Sequence, residues 1–191
     1  LESKLAALAQ VAANAGRSAA LAVAVARLRE AARRSEPYAG ALDEVRSLAG
    51  PLGDADLALA LAAIAGRAAG GVPNLAALRD RFAGLAAPLL HAEGLDADAG
   101  WLAKTVNRLT SVVTVRRIGE VAGPTAEARI ARAETRLAAG DLAAAIEDLA
   151  PLETAPGGLL TAWLADARAR LALDAALDDV SQRALALLSA S

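Results

Sequence analysis

Few side chains in this 191-residue sequence could do covalent or metal chemistry. It has no cysteine and one histidine, His91. A thiol nucleophile, a disulfide framework, a zinc finger and a histidine-rich metal site within one chain are therefore excluded. Acidic neighbours occur at Glu147-Asp148 and Asp178-Asp179. Adjacent helical positions point in different directions, so these read as solvated acidic faces and not as acid/base couples. No glycine-rich phosphate loop, nucleophile elbow, HExxH or EF-hand spacing is present. His91, beside Ala92 and Glu93, reads as a surface or cap residue at a helix end. The expectation is a protein without enzymatic activity, cofactor or metal.

One segment does concentrate chemistry. Formal charge runs +3 over residues 1–40, −4 over 41–100, +4 over 101–118 and −5 over 119–191, for a net −2. Lys104, Arg108, Arg116 and Arg117 stand in 101–118 without a single acid. At 100° per residue, Trp101, Leu102, Val106, Leu109, Val112 and Val113 share an arc of about 140°. Lys104 and Arg108 take the opposite side and one flank; Arg116 falls within the apolar arc and Arg117 just past its edge, both at the C-terminal end, where long stems snorkel. Tryptophan at one end and cations along the edge suit an interfacial membrane helix. Its apolar face enters the acyl boundary while each cation gains about 1 kcal/mol from anionic headgroups. A member of a helical bundle shows the same stripe, with its last two arginines suiting the helix dipole. The pattern leaves both readings open. The acidic balance of the whole chain argues against a nucleic-acid binder.

The elements that would hold this segment are helical. The sequence is 55% hydrophobic and only 2% aromatic, and alanine supplies more than a quarter of it. Alanine has the highest helix propensity and the smallest core payload, and β-favouring runs are scarce. The fold class is all-α: a helical bundle of antiparallel hairpins with a long N-terminal helix. Turn residues divide it into 1–34, a long coiled-coil-like helix, a helical segment at 35–97, the amphipathic basic helix at 98–118 and a hairpin domain at 125–188. Gly119 to Thr125 forms the clearest linker. Asn74 and Thr125 are placed to cap helices, and Pro88 to bend or end one. Gly140 is expected to supply a left-handed turn and Asp141 a cap, and two helices are expected near 159–173 and 175–188. No segment is expected to span a bilayer, since the longest apolar stretches, Ala19 to Ala26 and Leu57 to Ala65, are less than half the ~20 residues required. The sequence opens at Leu1 without a signal-peptide layout, which reads as a piece of a longer protein.

Several stretches together resemble the mitofilin family, the membrane-organising subunit of cristae and its bacterial relatives. In the C-terminal third these are Gly140-Asp141-Leu142 with Ala145, Leu149 and Leu152, then Trp163-Leu164, Asp166-Ala167-Arg168 and Leu171. Upstream, Leu109-Thr110-Ser111-Val112-Val113 with Val115-Arg116-Arg117, Gly71-Val72-Pro73-Asn74-Leu75 with Leu78 and Phe82, and Pro37-Tyr38 with Leu42 are similar to bacterial members. The resemblance implies a transmembrane helix and coiled coil ahead of a helical C-terminal domain, with an amphipathic lipid-binding segment. It makes 101–117 that segment, 125–188 the domain proper and 1–34 the end of the coiled coil. The function implied is the bending and stabilisation of membrane invaginations, without catalysis. The implied location is a bacterial inner membrane, with the soluble region facing the periplasm.

The partners expected are anionic membrane lipid, further copies of the chain and a protein partner at the hairpin domain. Packing alone accounts for Trp163 as a core anchor. A second reading is a tetratricopeptide-like adaptor that holds a peptide in a helical groove. An accessory protein of haem-biosynthesis operons is a variant of it. That reading wants repeats of about 34 residues, and only 126–153 fits one unit.

Overall fold

Between Glu2 and Arg33 there is no proline and one glycine. The computed structural model shows a single uninterrupted helix there, α1 (Glu2–Arg33). Residues 2–92, 125–154, 158 and 160–190 are described. Among them are seven α-helices and no strand, as the composition requires. After α1 come α2 (Ala39–Ala49), α3 (Ala55–Ala63), α4 (Leu75–Ala92), α5 (Ala126–Ala139), α6 (Leu142–Leu149) and α7 (Thr161–Ser189). Short 3-10 turns follow at Gly50–Leu52, Ala65–Arg67 and Ala150–Leu152. The basic segment 98–118, with every residue expected to meet lipid, lies outside the described residues.

One local reading is corrected and another is narrowed. The helices expected at 159–173 and 175–188 are one helix, α7. Asp174 does not break it, because Arg170 one turn earlier donates through Nε to its carboxylate at 2.8 Å. Of the two roles open to Pro88, ending α4 is excluded, since the helix runs on past it to Ala92.

The chain forms two units, Leu1–Asn74 with Ala169–Ser191, and Leu75–Arg168. In the first, α1 buries Leu21, Val25, Leu28 and Ala32 against Leu42 and Val45 of α2, Leu57 and Leu61 of α3, and Leu173, Leu177 and Val180 of α7. Arg29 of α1 donates to Ser181 Oγ at 2.8 Å and pairs with Asp178 at 2.8 Å. Arg170, only 5% exposed, donates to the Ala32 carbonyl at 2.8 Å. Together these contacts run α1 and α7 antiparallel. Tyr38 is buried, its hydroxyl donating to the Ile64 carbonyl at 2.7 Å and its N–H to Ala68 at 2.9 Å. Burial raises the phenol's pKa, against the lowering influence of Arg170 and Arg67. In the second unit the buried residues include Leu78, Phe82 and Leu89 of α4, Ile130, Ala133 and Leu137 of α5, Ala145 and Leu149 of α6, and Trp163 and Leu164 of α7.

By length and composition alone α1 is apolar enough to cross a membrane, with a mean hydropathy of 1.2 in its best window. The uninterrupted stretches offered no such candidate. Alanine raises a window average without supplying large side chains, and the buried stripe from Leu21 to Ala32 shows the second half of α1 serving as a bundle helix.

The tightest backbone approach is at Gly71. Its φ is +74°, and a Cβ there would lie 2.6 Å from the Glu36 carbonyl oxygen and 2.8 Å from that of Ser35. Ser35 itself holds a positive φ of 63°, with its hydroxyl accepting from Asn74 N–H at 2.7 Å, while the Asn74 amide reaches the Arg33 carbonyl at 3.1 Å. Gly140 also has positive φ, yet only a Leu75 methyl at 4.0 Å faces its missing Cβ. Gly71→Ala is therefore expected to cost about 2–4 kcal/mol and Gly140→Ala about 1 kcal/mol. Denaturant unfolding checks the order. Equal losses at the two glycines would show that the Glu36 contact is not limiting.

Candidate functional site

The sequence-predicted motif residues Gly140, Asp141, Leu142, Trp163 and Arg168 all fall in the second unit, around the hairpin of α5 and α6. Thr125 caps α5, accepting from Ala128 N–H at 3.3 Å. Apolar residues at 130, 133 and 137 line its buried face. Gly140 ends the helix at φ 89° with its N–H turned back to the Arg136 and Leu137 carbonyls. The Asp141 N–H also reaches Arg136 O, at 2.9 Å. This reversed turn is what glycine in a left-handed conformation allows. The Asp141 side chain then caps α6 by accepting from Ala144 N–H at 3.0 Å, and Leu142 enters the core.

Trp163 is fully buried. Its indole Nε1 donates to the Leu78 carbonyl at 2.9 Å, and its ring meets Phe82 at 5.2 Å between centroids and 52° between planes. Arg81 and Asp166 close the same contact between α4 and α7 at 2.7 Å. Arg168 faces the other way, forking both Glu153 oxygens at 2.9 and 2.8 Å. That pair holds the Glu153 carboxyl below its usual range and the Arg168 guanidinium above its own, mainly through the shared hydrogen bonds. Both groups are exposed enough that the bridge orients the loop more than it stabilises the fold.

One expectation is corrected in the charged interior of the hairpin: Asp148, expected with Glu147 on a solvated acidic face, is buried and paired with two arginines. Asp148, 9% exposed, accepts from Arg132 Nε at 2.9 Å. Arg136 Nε lies 2.7 Å from its second oxygen, an ion pair not aimed as a hydrogen bond. Glu134, on the edge of the buried face of α5, has one carboxylate oxygen sealed from solvent without a hydrogen-bond partner. Burial pushes its pKa up to about 7. The signal was present: position 134 is four after Ile130 and three before Leu137, which places it beside the apolar stripe. The arrangement is a helical platform, and the described residues within it form no nucleophile–base pair.

A protein-family model described as "Mitofilin: Mitochondrial inner membrane protein" matches residues 1–184. Curated relatives are the MICOS complex subunit MIC60 of Pyrenophora tritici-repentis, 33% identical over 114 residues, and that of Phaeosphaeria nodorum, 34% identical over 114 residues. Each match covers 60% of this chain and 18% of the relative, so the chain spans under a fifth of their length. No solved structure matches.

Glu134 gives the hairpin a pH dependence whose sign is fixed. An acid whose pKa is raised on folding, here from 4.5 to about 7, binds its proton more tightly in the folded state. Stability present at pH 4 is therefore lost progressively as pH rises through that window. Glu134→Gln removes the loss. The variant is expected to match the parent at pH 4 and to melt a few degrees higher at pH 8. The gain is on the order of 1 kcal/mol once partial solvent exposure is discounted. A lower melting temperature than the parent at pH 8 would overturn the assignment.

Proposed function

Because the chain belongs to the mitofilin family, we propose that it is a membrane-shaping scaffold. In this reading it binds anionic lipid through residues 101–117 and self-associates to stabilise membrane invaginations. It works at a bacterial inner membrane, with its helical units on the periplasmic side and the hairpin domain open to a protein partner. Its role is structural and not enzymatic. The observation that carries the reading is the position of the purely basic segment, with four cations and no acid, inside a span that the family model matches from residue 1 to 184. The relatives named for the MICOS complex support a membrane-organising role. The adaptor reading gains nothing from the helices. The α5–α6 hairpin is followed by the 29-residue α7 and not by a second helix pair of similar length.

Co-sedimentation with vesicles tests the lipid contact. Charge reversal at Arg108, Arg116 or Arg117 is expected to weaken binding to vesicles containing anionic lipid by at least fivefold each, at about 1 kcal/mol per lost cation. Binding should fall further as salt rises, with helical content unchanged. Trp101→Ala should weaken binding with less dependence on salt, through lost apolar area. Silent arginine variants together with a lower melting temperature for Trp101→Ala or Leu109→Ala would instead assign the segment to the bundle.

A further inference from the structure

Helix α3 (Ala55–Ala63) is apolar on every side apart from Asp56, and the core covers only part of it. Leu57 and Leu61 are buried, while Ala55, Ala58, Leu59 and Ala62 stay exposed, Leu59 at 69%. A helix apolar all round is ordinarily covered all round. Along one flank of the exposed face lies a cleft of about 400 Å³. Ala55, Ala58 and Ala62 line it from α3, and Ala49, Gly50 and Gly53 from the end of α2 and the turn after it, with buried Leu61 beneath. The cleft exists because its walls carry methyl groups or nothing. A Cβ built on Gly50 or Gly53 would meet no atom within 4 Å.

One cation lines this cleft, Arg46 from the last turn of α2, and it is loosely held. Its guanidinium lies 3.5 Å from Asp43 Oδ1 and 3.5 Å from the Leu61 carbonyl, both at the outer limit of a hydrogen bond. Arg27, Arg29, Arg81 and Arg183, in contrast, each come within 3.1 Å of an acid. Arg46 therefore keeps donor capacity for a further acceptor beside the cleft. Asp54, the other charged lining residue, is committed to the fold. Its Oδ1 caps α3 by accepting from Leu57 N–H at 2.8 Å and lies 3.8 Å from Arg183.

We infer that this cleft binds a small amphipathic carboxylate, its apolar body against Ala58 and Ala62 and its acid on Arg46. The inference goes beyond the scaffold reading and does not depend on it. The volume falls at the small end of ligand cavities, which suits a short chain or a single ring. A guanidinium forks a carboxylate through two parallel N–H donors. Asp43 and Asp54 stand at the same cleft, so a phosphate dianion meets stronger repulsion there than a singly charged acid. A ligand so placed touches both α2 and α3 and ties them together.

Calorimetric titration of the whole chain with octanoate tests this, with 1-octanol and octyl phosphate as neutral and dianionic counterparts. Octanoate is expected to bind the parent with a Kd on the order of 1 mM or tighter, and to raise its melting temperature. Arg46→Gln should weaken octanoate at least fivefold and leave octanol unchanged. Asp43→Asn, which removes the competing acid, should tighten octanoate about twofold. Ala58→Leu and Ala62→Leu fill the cleft from exposed positions where leucine keeps helix propensity. Each should abolish octanoate binding with the far-ultraviolet helical signal kept. Equal binding by the parent and both leucine variants would place the ligand elsewhere and overturn the site, as would a parent that takes up no octanoate. Unchanged octanoate affinity in Arg46→Gln, or tighter binding of octyl phosphate than of octanoate, would overturn the carboxylate assignment. Loss of vesicle binding in the leucine variants, without octanoate uptake by the parent, would assign the cleft to lipid and overturn the inference.

Discussion

Alanine sets the terms for this molecule. It makes helices nearly unavoidable, yet each alanine buries so little surface that the few large side chains must do most of the joining. Three of them do so in the same manner. Tyr38 donates to the Ile64 carbonyl, Trp163 to Leu78 and Arg170 to Ala32, each from a buried position to the backbone of another element. A polar tip on a large apolar or long stem thus fills space that alanine leaves and fixes the axial position of its neighbour. Removing such a group would also leave a carbonyl without that donor, so the cost would exceed the lost area.

What could be read from the residues follows from how local the cause is. The all-helical class follows from composition. The Thr125 and Asp141 caps and the left-handed Gly140 answer to backbone groups within four residues, so their chemistry is visible in a short window. The unity of α7 was missed because Asp174 looks like a stop, and only its contact with Arg170 makes it a helical residue. Gly71 stood out only as part of a family-like stretch. Its necessity comes from Glu36, 35 positions earlier, and no local pattern shows that approach. Glu134 was legible in principle from its place beside Ile130 and Leu137, but its sealed oxygen depends on tertiary packing.

The two halves of α1 illustrate how one composition serves two purposes. Where larger residues recur at Leu21, Val25 and Leu28, the helix joins a core. Toward the N-terminus small residues prevail, and the helix continues with its described side chains exposed from Glu2 to Ala13. A window average cannot separate these situations, since alanine scores as apolar in both. Side-chain size at each position can, because area removed from water and not hydropathy as such is what stabilises a packed helix.

The single helix α7 has a consequence for synthesis. Its first turns belong to the continuous unit Leu75–Arg168, while the remainder completes a unit that began at the N-terminus. The contacts of Arg29 with Ser181 and of Ala32 with Arg170 close loops of 152 and 138 residues. On the ribosome, the N-terminal helices therefore emerge without their last core member and wait with Leu21, Leu28 and Leu57 incompletely covered. The unit in the middle of the sequence has all its parts once Arg168 is made. Order of completion thus runs from the middle outward, and α1 to α3 are sealed after the unit that follows them.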